Sequence, residues 1–210
     1  MNQKGVLLFG GTFDPVHYGH LLITRHVAEM LRVEKVVFIP AARPPHKYHI
    51  KLTSARHRLQ MVRLALRDDN LFSVSDCELN RQGPSYTLHT IEYFRQQYGP
   101  QTTLYWLIGA DTIRELHSWH RVKQLADDCT IVTAGRPGYN LSDLSDLSDL
   151  QSVFNPEQIT RLRHHILDTP RIGISSTQIR YLVHNHSPVH YLVPPPVREY
   201  IKKHGLYLDD

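Results

Sequence analysis

The stretch Gly10-Gly11-Thr12-Phe13-Asp14-Pro15-Val16-His17-Tyr18-Gly19-His20 carries the residues best suited to chemistry in this chain. It starts where the apolar run Val6-Leu7-Leu8-Phe9 stops, and the helical pattern of Ile23, Val27, Met30 and Leu31 follows it. A strand therefore runs into a glycine turn and then into a helix. Such a turn presents bare backbone N–H groups and the positive end of the helix, which together suit an anion. His17 and His20 share one face if the first helical turn includes both. Gly19 between them has no Cβ and lets a ligand approach the backbone. The stretch reads as a phosphate site. The alternatives are a helix cap with chance histidines, and a metal pair for which no third ligand is evident.

Further segments have residue types that fit a second anion or a nucleotide. Ser175-Ser176-Thr177 followed by Ile179-Arg180 places hydroxyls at a helix start and an arginine one turn later, a second phosphate site or, by itself, a plain N-cap. Gly109-Ala110-Asp111 follows the apolar run Leu104 to Ile108, and a carboxylate at a strand end can accept bonds from ribose hydroxyls or cap the next helix. Pro44-Pro45-His46-Lys47 is a stiffened loop in which Lys47 is either a cation for phosphate or a solvated side chain. In Pro84-Ser85-Tyr86-Thr87, Ser85 or Thr87 opens a helix, so Tyr86 and Thr87 can offer bare N–H groups. Trp119 supplies a flat face for stacking, or is a core residue. Arg136, in Gly135-Arg136-Pro137-Gly138, faces a substrate or is an ordinary loop arginine.

Strands and helices must alternate to bring these segments together. Lys35 to Pro40, Phe72 to Ser75, Leu104 to Ile108 and Thr130 to Ala134 read as strands after the first. Thr53 or Ser54 caps a helix with Leu59, Val62 and Leu66 at helical spacing, and Leu88 to Tyr98 forms another that Gly99-Pro100 ends. Pro156 to His165 reads as a helix, Ile172 to Ile174 as a short strand, and Pro194-Pro195-Pro196 as the start of a last helix that Gly205 ends. The expectation is a doubly wound, mainly parallel α/β sheet in one domain over residues 1–210, with 166–210 carrying the second phosphate motif and closing helices. Ligands gather at the carboxyl ends of strands in such sheets, and here those ends are Gly10, Pro40, Gly109 and Gly135. The threefold Ser-Asp-Leu repeat in Leu141 to Leu150 reads as a surface connection or short amphipathic piece.

A chain of 210 residues can bury a sizeable core. A formal charge of +4 implies no general attraction to nucleic acid. The 15 histidines would make the protein markedly more cationic below about pH 6.5. Cys77 and Cys129 are the only cysteines, which argues against a disulfide scaffold or a thiolate zinc site. The first residues lack a signal-peptide profile, and no apolar run approaches the roughly 20 residues that span a bilayer. A reduced, cytoplasmic enzyme with no membrane partner is expected.

The order and spacing of these segments resemble the nucleotidyltransferase superfamily of adenylyltransferases and class I aminoacyl-tRNA synthetases, whose shared mark is His-x-Gly-His after the first strand. The resemblance is sharpest to bacterial nicotinate mononucleotide adenylyltransferases and covers essentially the whole chain. It implies a Rossmann-like fold, ATP and nicotinate mononucleotide as substrates, and Mg²⁺ accompanying ATP. It assigns His17, His20 and Arg180 to catalysis at the phosphates. Gly10, Gly11, Thr12, Phe13, Gly109, Asp111, Ser175, Ser176 and Thr177 go to ATP binding, and Lys47, Tyr86, Thr87, Trp119 and Arg136 to the nicotinate nucleotide. No dedicated metal-ligating residues are implied. Relatives often have asparagine ahead of the 44–47 loop, where this chain has Ala41-Ala42-Arg43. Rival readings are the same chemistry on nicotinamide mononucleotide or phosphopantetheine, a synthetase fragment, and a nucleotide sensor without activity.

Overall fold

The computed structural model describes residues 5–44, 51–135, 137–139 and 146–208. Six apolar segments become strands: β1 (Gly5–Gly11), β2 (Lys35–Pro40), β3 (Phe72–Val74), β4 (Thr103–Gly109), β5 (Thr130–Ala134) and β6 (Ile166–Leu167). They form one sheet in the order β3-β2-β1-β4-β5-β6, and every neighbouring pair is parallel. Both faces are covered, so the strands read as continuous apolar runs and not as alternating ones. Alternation survives in where each side chain goes. Val6, Leu8, Val37, Ile39, Trp106 and Ile108 enter one core, while Leu7, Val36, Phe38 and Leu107 enter the other.

Seven helices are described: α1 (Tyr18–Leu31), α2 (Ala55–Leu66), α3 (Thr87–Tyr98), α4 (Val122–Asp128), α5 (Pro156–His164), α6 (Ser176–His184) and α7 (Pro195–Lys203). The first core is closed by α3, α4 and α5 through Leu88, Ile91, Leu125 and Leu162. The second is closed by α1, α2, α6 and α7 through Val27, Met61, Ile179 and Val197. Each such large aliphatic side chain stabilises the fold by about 1.5–3 kcal/mol when fully buried. Ser54 caps α2, its Oγ accepting the His57 N–H at 3.4 Å. Gly99 ends α3 at φ 80°, a conformation that favours glycine.

The doubly wound parallel sheet is as the sequence predicts, with one correction near its edge. Residues 172–174 form no strand; the sixth strand is the two-residue β6, paired with Thr133 and Ala134. The apolar pair Ile172 and Ile174 reads as strand-like because its residues alternate, but both line a cavity and pair with no neighbour strand. Within the Ser-Asp-Leu repeat, Leu147 and Leu150 are buried while Asp146, Ser148 and Asp149 are exposed, as an amphipathic piece requires. Cys77 and Cys129 are buried free thiols.

The strand order reverses at β1, with the chain winding out through β2 and β3 on one side and β4, β5 and β6 on the other. Loops leaving the carboxyl ends of β1 and β4 therefore part to opposite faces and open a crevice between them.

Candidate active site

Sterics at the end of β1 explain its glycines. A Cβ on Gly10 would stand 2.5 Å from the Trp106 ring, and one on Gly11 would stand 2.8 Å from Phe13 Cζ. Phe13 folds back because its backbone is left-handed, at φ 51°, a strained conformation for a bulky residue that clusters at ligand-binding turns. Its ring is buried, 5.3 Å from Phe9 and 5.1 Å edge-on to His20. Phe13 thus supports a histidine from below, and only its backbone is placed to meet a phosphate.

His17 lies one residue before the helix, as the N-cap of α1, and His20 is its third helical residue. The two rings cap each other's backbone. His17 N–H donates to His20 Nδ1 at 3.2 Å, and His20 N–H donates to His17 Nδ1 at 3.3 Å. The rings stack 3.6 Å apart. A Cβ on Gly19 would come within 2.9 Å of His17 Nδ1, so glycine is needed for this stack. Accepting a main-chain N–H at Nδ1 assigns the ring proton to Nε2 in both residues. Two N–H donors on the ring edges away from the helix result, a set that matches phosphate oxygens.

The second phosphate motif is docked directly on the first. Ser175 caps α6, its Oγ accepting the Gln178 N–H at 3.1 Å. Ser176 Oγ donates to Pro15 O at 2.9 Å, and Arg180 Nη1 donates to Asp14 O at 2.8 Å, across 161 and 166 residues of chain. Arg180 Nη2 also reaches Thr177 Oγ1 at 3.4 Å. Both motifs line one cavity of about 540 Å³, within the range of small-molecule sites.

Asp111 lines the same cavity from the end of β4. It is not a helix cap: Thr112 holds that position before the 3₁₀ turn Ile113–Ser118. A Cβ on Gly109 would collide with Asp111 Oδ1, so Gly109 makes room for the carboxylate to fold back over the strand end.

Ser85 and Thr87 at the start of α3 and Trp119 also line the cavity. Thr87 is the first helical residue, and no side chain caps its turn. Tyr86 departs from expectation. Its N–H donates to Pro84 O at 2.9 Å, and its ring stacks on His120 at 4.3 Å instead of lining the cavity. The bare donors of this helix start therefore begin at Thr87. Trp119 packs against the core, and its Nε1 is a buried donor with no hydrogen-bond partner, in a residue that faces the cavity. Lys47 and Arg136 lie outside the described residues.

This arrangement has relatives. The cytidylyltransferase-like family model matches residues 8–182. A protein of Moorella thermoacetica named probable nicotinate-nucleotide adenylyltransferase is 41% identical, over 95% of this chain and 90% of its own length. One so named in Trichormus variabilis is 39% identical over 99% of both. The chain belongs to the cytidylyltransferase-like family, in its nicotinate-nucleotide adenylyltransferase branch. The fold agrees at greater distance. Plasmodium falciparum nicotinic acid mononucleotide adenylyltransferase complexed with NaAD superimposes with a TM-score of 0.75 at 17% identity, covering 97% of each chain. The same enzyme complexed with APC gives a TM-score of 0.72 at 16% identity, over 97% of each chain.

Beyond the family motifs, Ser85 takes a part other than the expected one, and two residues that the sequence did not single out, Glu78 and Arg58, help to shape this adenylyltransferase site. Ser85 is not the helix cap. Its Oγ accepts the N–H groups of Ala42 and Arg43 at 3.1 and 3.2 Å, and its own N–H donates to Arg43 O at 3.0 Å, clasping the loop after β2 to the start of α3. Behind it lies Glu78, 4% exposed, whose Oε1 accepts the Thr90 hydroxyl at 2.7 Å. Burial pushes the Glu78 carboxyl above the usual carboxylate range, against the lowering effect of Thr90, Ser85 and Arg81. Arg58 is 1% exposed on the otherwise apolar face of α2 that carries Leu59 and Val62. A cation at helical spacing with those residues was the available signal for it.

Proposed function

We propose that this enzyme transfers the adenylyl group of ATP to nicotinate mononucleotide, forming nicotinate adenine dinucleotide and pyrophosphate in the synthesis of NAD. The observation that carries this reading is the docking of Ser176 and Arg180 onto Asp14 and Pro15, which gathers both phosphate motifs around one cavity. The names of the full-length relatives point the same way.

In this reading a phosphate oxygen of the acceptor attacks the α-phosphorus of ATP, and the bond to the bridging oxygen breaks as pyrophosphate leaves. Positioning and charge stabilisation suffice; no covalent protein intermediate is needed. His17 and His20 donate through Nε2 to the ATP phosphates, beside the backbone of Gly11, Thr12 and Phe13. The α6 start at Ser175, Ser176 and Thr177, with Arg180, takes the departing phosphates. Gly10 and Gly109 shape the nucleotide site by admitting the Trp106 ring and the Asp111 carboxylate at the strand ends, and Asp111 accepts from ribose hydroxyls. The α3 start at Thr87 favours a carboxylate, and Trp119 faces the pyridine ring. Tyr86 acts by packing on His120, and Lys47 and Arg136 are proposed to meet the acceptor's phosphate. ATP enters as its magnesium complex, with the ion held by phosphate oxygens and water.

No helix among the described residues is long and apolar enough to cross a membrane. A cytoplasmic location accords with the two free thiols.

Pyrophosphate release from ATP and Mg²⁺, with nicotinate and nicotinamide mononucleotides assayed side by side, tests the reading. A large kcat/KM advantage for the acid is expected. Equal rates would retain adenylyl transfer and remove the helix-terminus carboxylate site, and no release with either would overturn the assignment.

A further inference from the structure

Three charged side chains are buried among the described residues, and two of them, Asp14 and Arg58, lie beneath the phosphate loop with no part in the mechanism above. Both side chains direct their hydrogen bonds into the protein. Asp14 Oδ1 accepts the Tyr207 hydroxyl at 2.7 Å, and its Oδ2 accepts the Thr53 N–H at 3.0 Å. Arg58 directs Nη1 to Thr12 O at 2.7 Å and Nε to Thr53 O at 2.9 Å. Thr53 thus joins the two opposite charges through its own N–H and C=O groups.

These contacts act on the backbone that would hold ATP. Carbonyl and amide point in opposite directions across a trans peptide plane. Holding Thr12 O toward Arg58 therefore turns the Phe13 N–H away from the buried guanidinium. The carbonyl of Asp14 in turn accepts Arg180 Nη1 of the second phosphate motif. Tyr207 reaches Asp14 from the far end of the chain, 5% exposed and in a left-handed conformation at φ 68°. Left-handed, non-glycine backbone thus stands at both ends of the link, at Phe13 and Tyr207, and such conformations persist where the surroundings over-determine them.

We propose that Asp14, Arg58 and Tyr207 are positioning residues for adenylyl transfer: they hold the phosphate loop and Arg180 in register, so that one hydroxyl near the carboxyl terminus sets the turnover rate. The inference rests on the adenylyl-transfer reading. The phosphate loop is held by these three side chains whatever the reaction is.

Tyr207→Phe removes that hydroxyl and keeps the ring. A misplacement well short of 1 Å at the phosphates should lower kcat by about tenfold, with KM for nicotinate mononucleotide unchanged. In an Arg180→Ala background the same substitution should cost less than about threefold, because both act through one geometry. Independently of turnover, amide exchange across residues 11–17 should quicken by about tenfold while that of β1 and β4 stays within about twofold. Should Tyr207→Phe not fold, Arg58→Lys, which keeps the buried charge but not the fork, is expected to give the same pattern. A kcat within about twofold of the parent, or full additivity with Arg180→Ala, would overturn the positioning role. Unchanged loop exchange would overturn it even if the parent released no pyrophosphate, the result that separately rejects the adenylyl-transfer reading.

Discussion

In both motif histidines Nδ1 accepts a main-chain N–H, so one edge of each ring holds the start of α1 and the other carries the proton. Removing a ring then has two separable costs. Loss of an N-terminal capping interaction costs about 0.5–2 kcal/mol of stability, whereas loss of a donor to charge developing in the transition state costs about 10²–10³ in kcat. His20→Ala is expected to show both, a modest fall in thermal stability and a kcat lower by about 10²–10³. Steady-state rates within about threefold of the parent, with the stability loss present, would leave His20 as a cap alone. At this scale the sequence was most legible where a residue's work is local. His17, Gly19 and His20 depend on one another, and their spacing was enough to single them out. Asp14 sits inside the same motif, yet its contacts run to Thr53 and Tyr207, 39 and 193 residues away, and no local pattern contains them.

Among the elements, the start of α3 has a part that its sequence alone did not reveal, because Ser85 serves the loop after β2 and not its own helix. Glu78 stands behind that clasp, and its raised carboxyl has a consequence for stability. The folded state binds the Glu78 proton more tightly than the unfolded chain does, so this contribution is full below the ordinary carboxylate range. It is lost as pH rises through the raised folded value. Glu78→Gln keeps an acceptor for Thr90 and cannot titrate. Its thermal midpoint should therefore gain on the parent's as pH rises through that window and hold a constant lead above it. A midpoint difference that does not vary with pH would mean that burial leaves Glu78 unperturbed. In the same cavity, Trp119→Ala should mainly raise KM for nicotinate mononucleotide, since stacking is lost equally in ground and transition states. An unchanged KM with intact folding would remove Trp119 from the site. The long elements were legible because burial on both sheet faces produces long apolar runs. The two-residue β6 was not, since so short an edge strand carries no periodicity and the apolar pair at Ile172 and Ile174 lies close by.

For the molecule as a whole, the order β3-β2-β1-β4-β5-β6 puts the ends of β1 and β4 side by side, so a sheet built for packing also places His17, His20 and Asp111 around one crevice. The two thiols report on whether that sheet opens as a unit. Cys77 and Cys129 are buried in the same core, the one closed by α3, α4 and α5. Burial, the leading cause for each, raises both above the ordinary thiol range, and Cys129 Sγ donates to Leu125 O at 3.3 Å. Both are shielded by burial and held as thiols more firmly than a free cysteine, and the thiolate is the reactive form. Alkylation must await opening, and a ligand bound only by the folded form slows global opening by the factor 1 + [L]/Kd. Nicotinate mononucleotide at about 100 Kd should therefore slow labelling of both cysteines by about 100-fold, and equally. Mass spectrometry of the alkylated peptides measures each rate. Equal slowing would make the acceptor wall and the central sheet one cooperative unit. If Cys77 alone kept its rate, the segment between β3 and α3 would open by itself, and the clasp made by Ser85 would open with it.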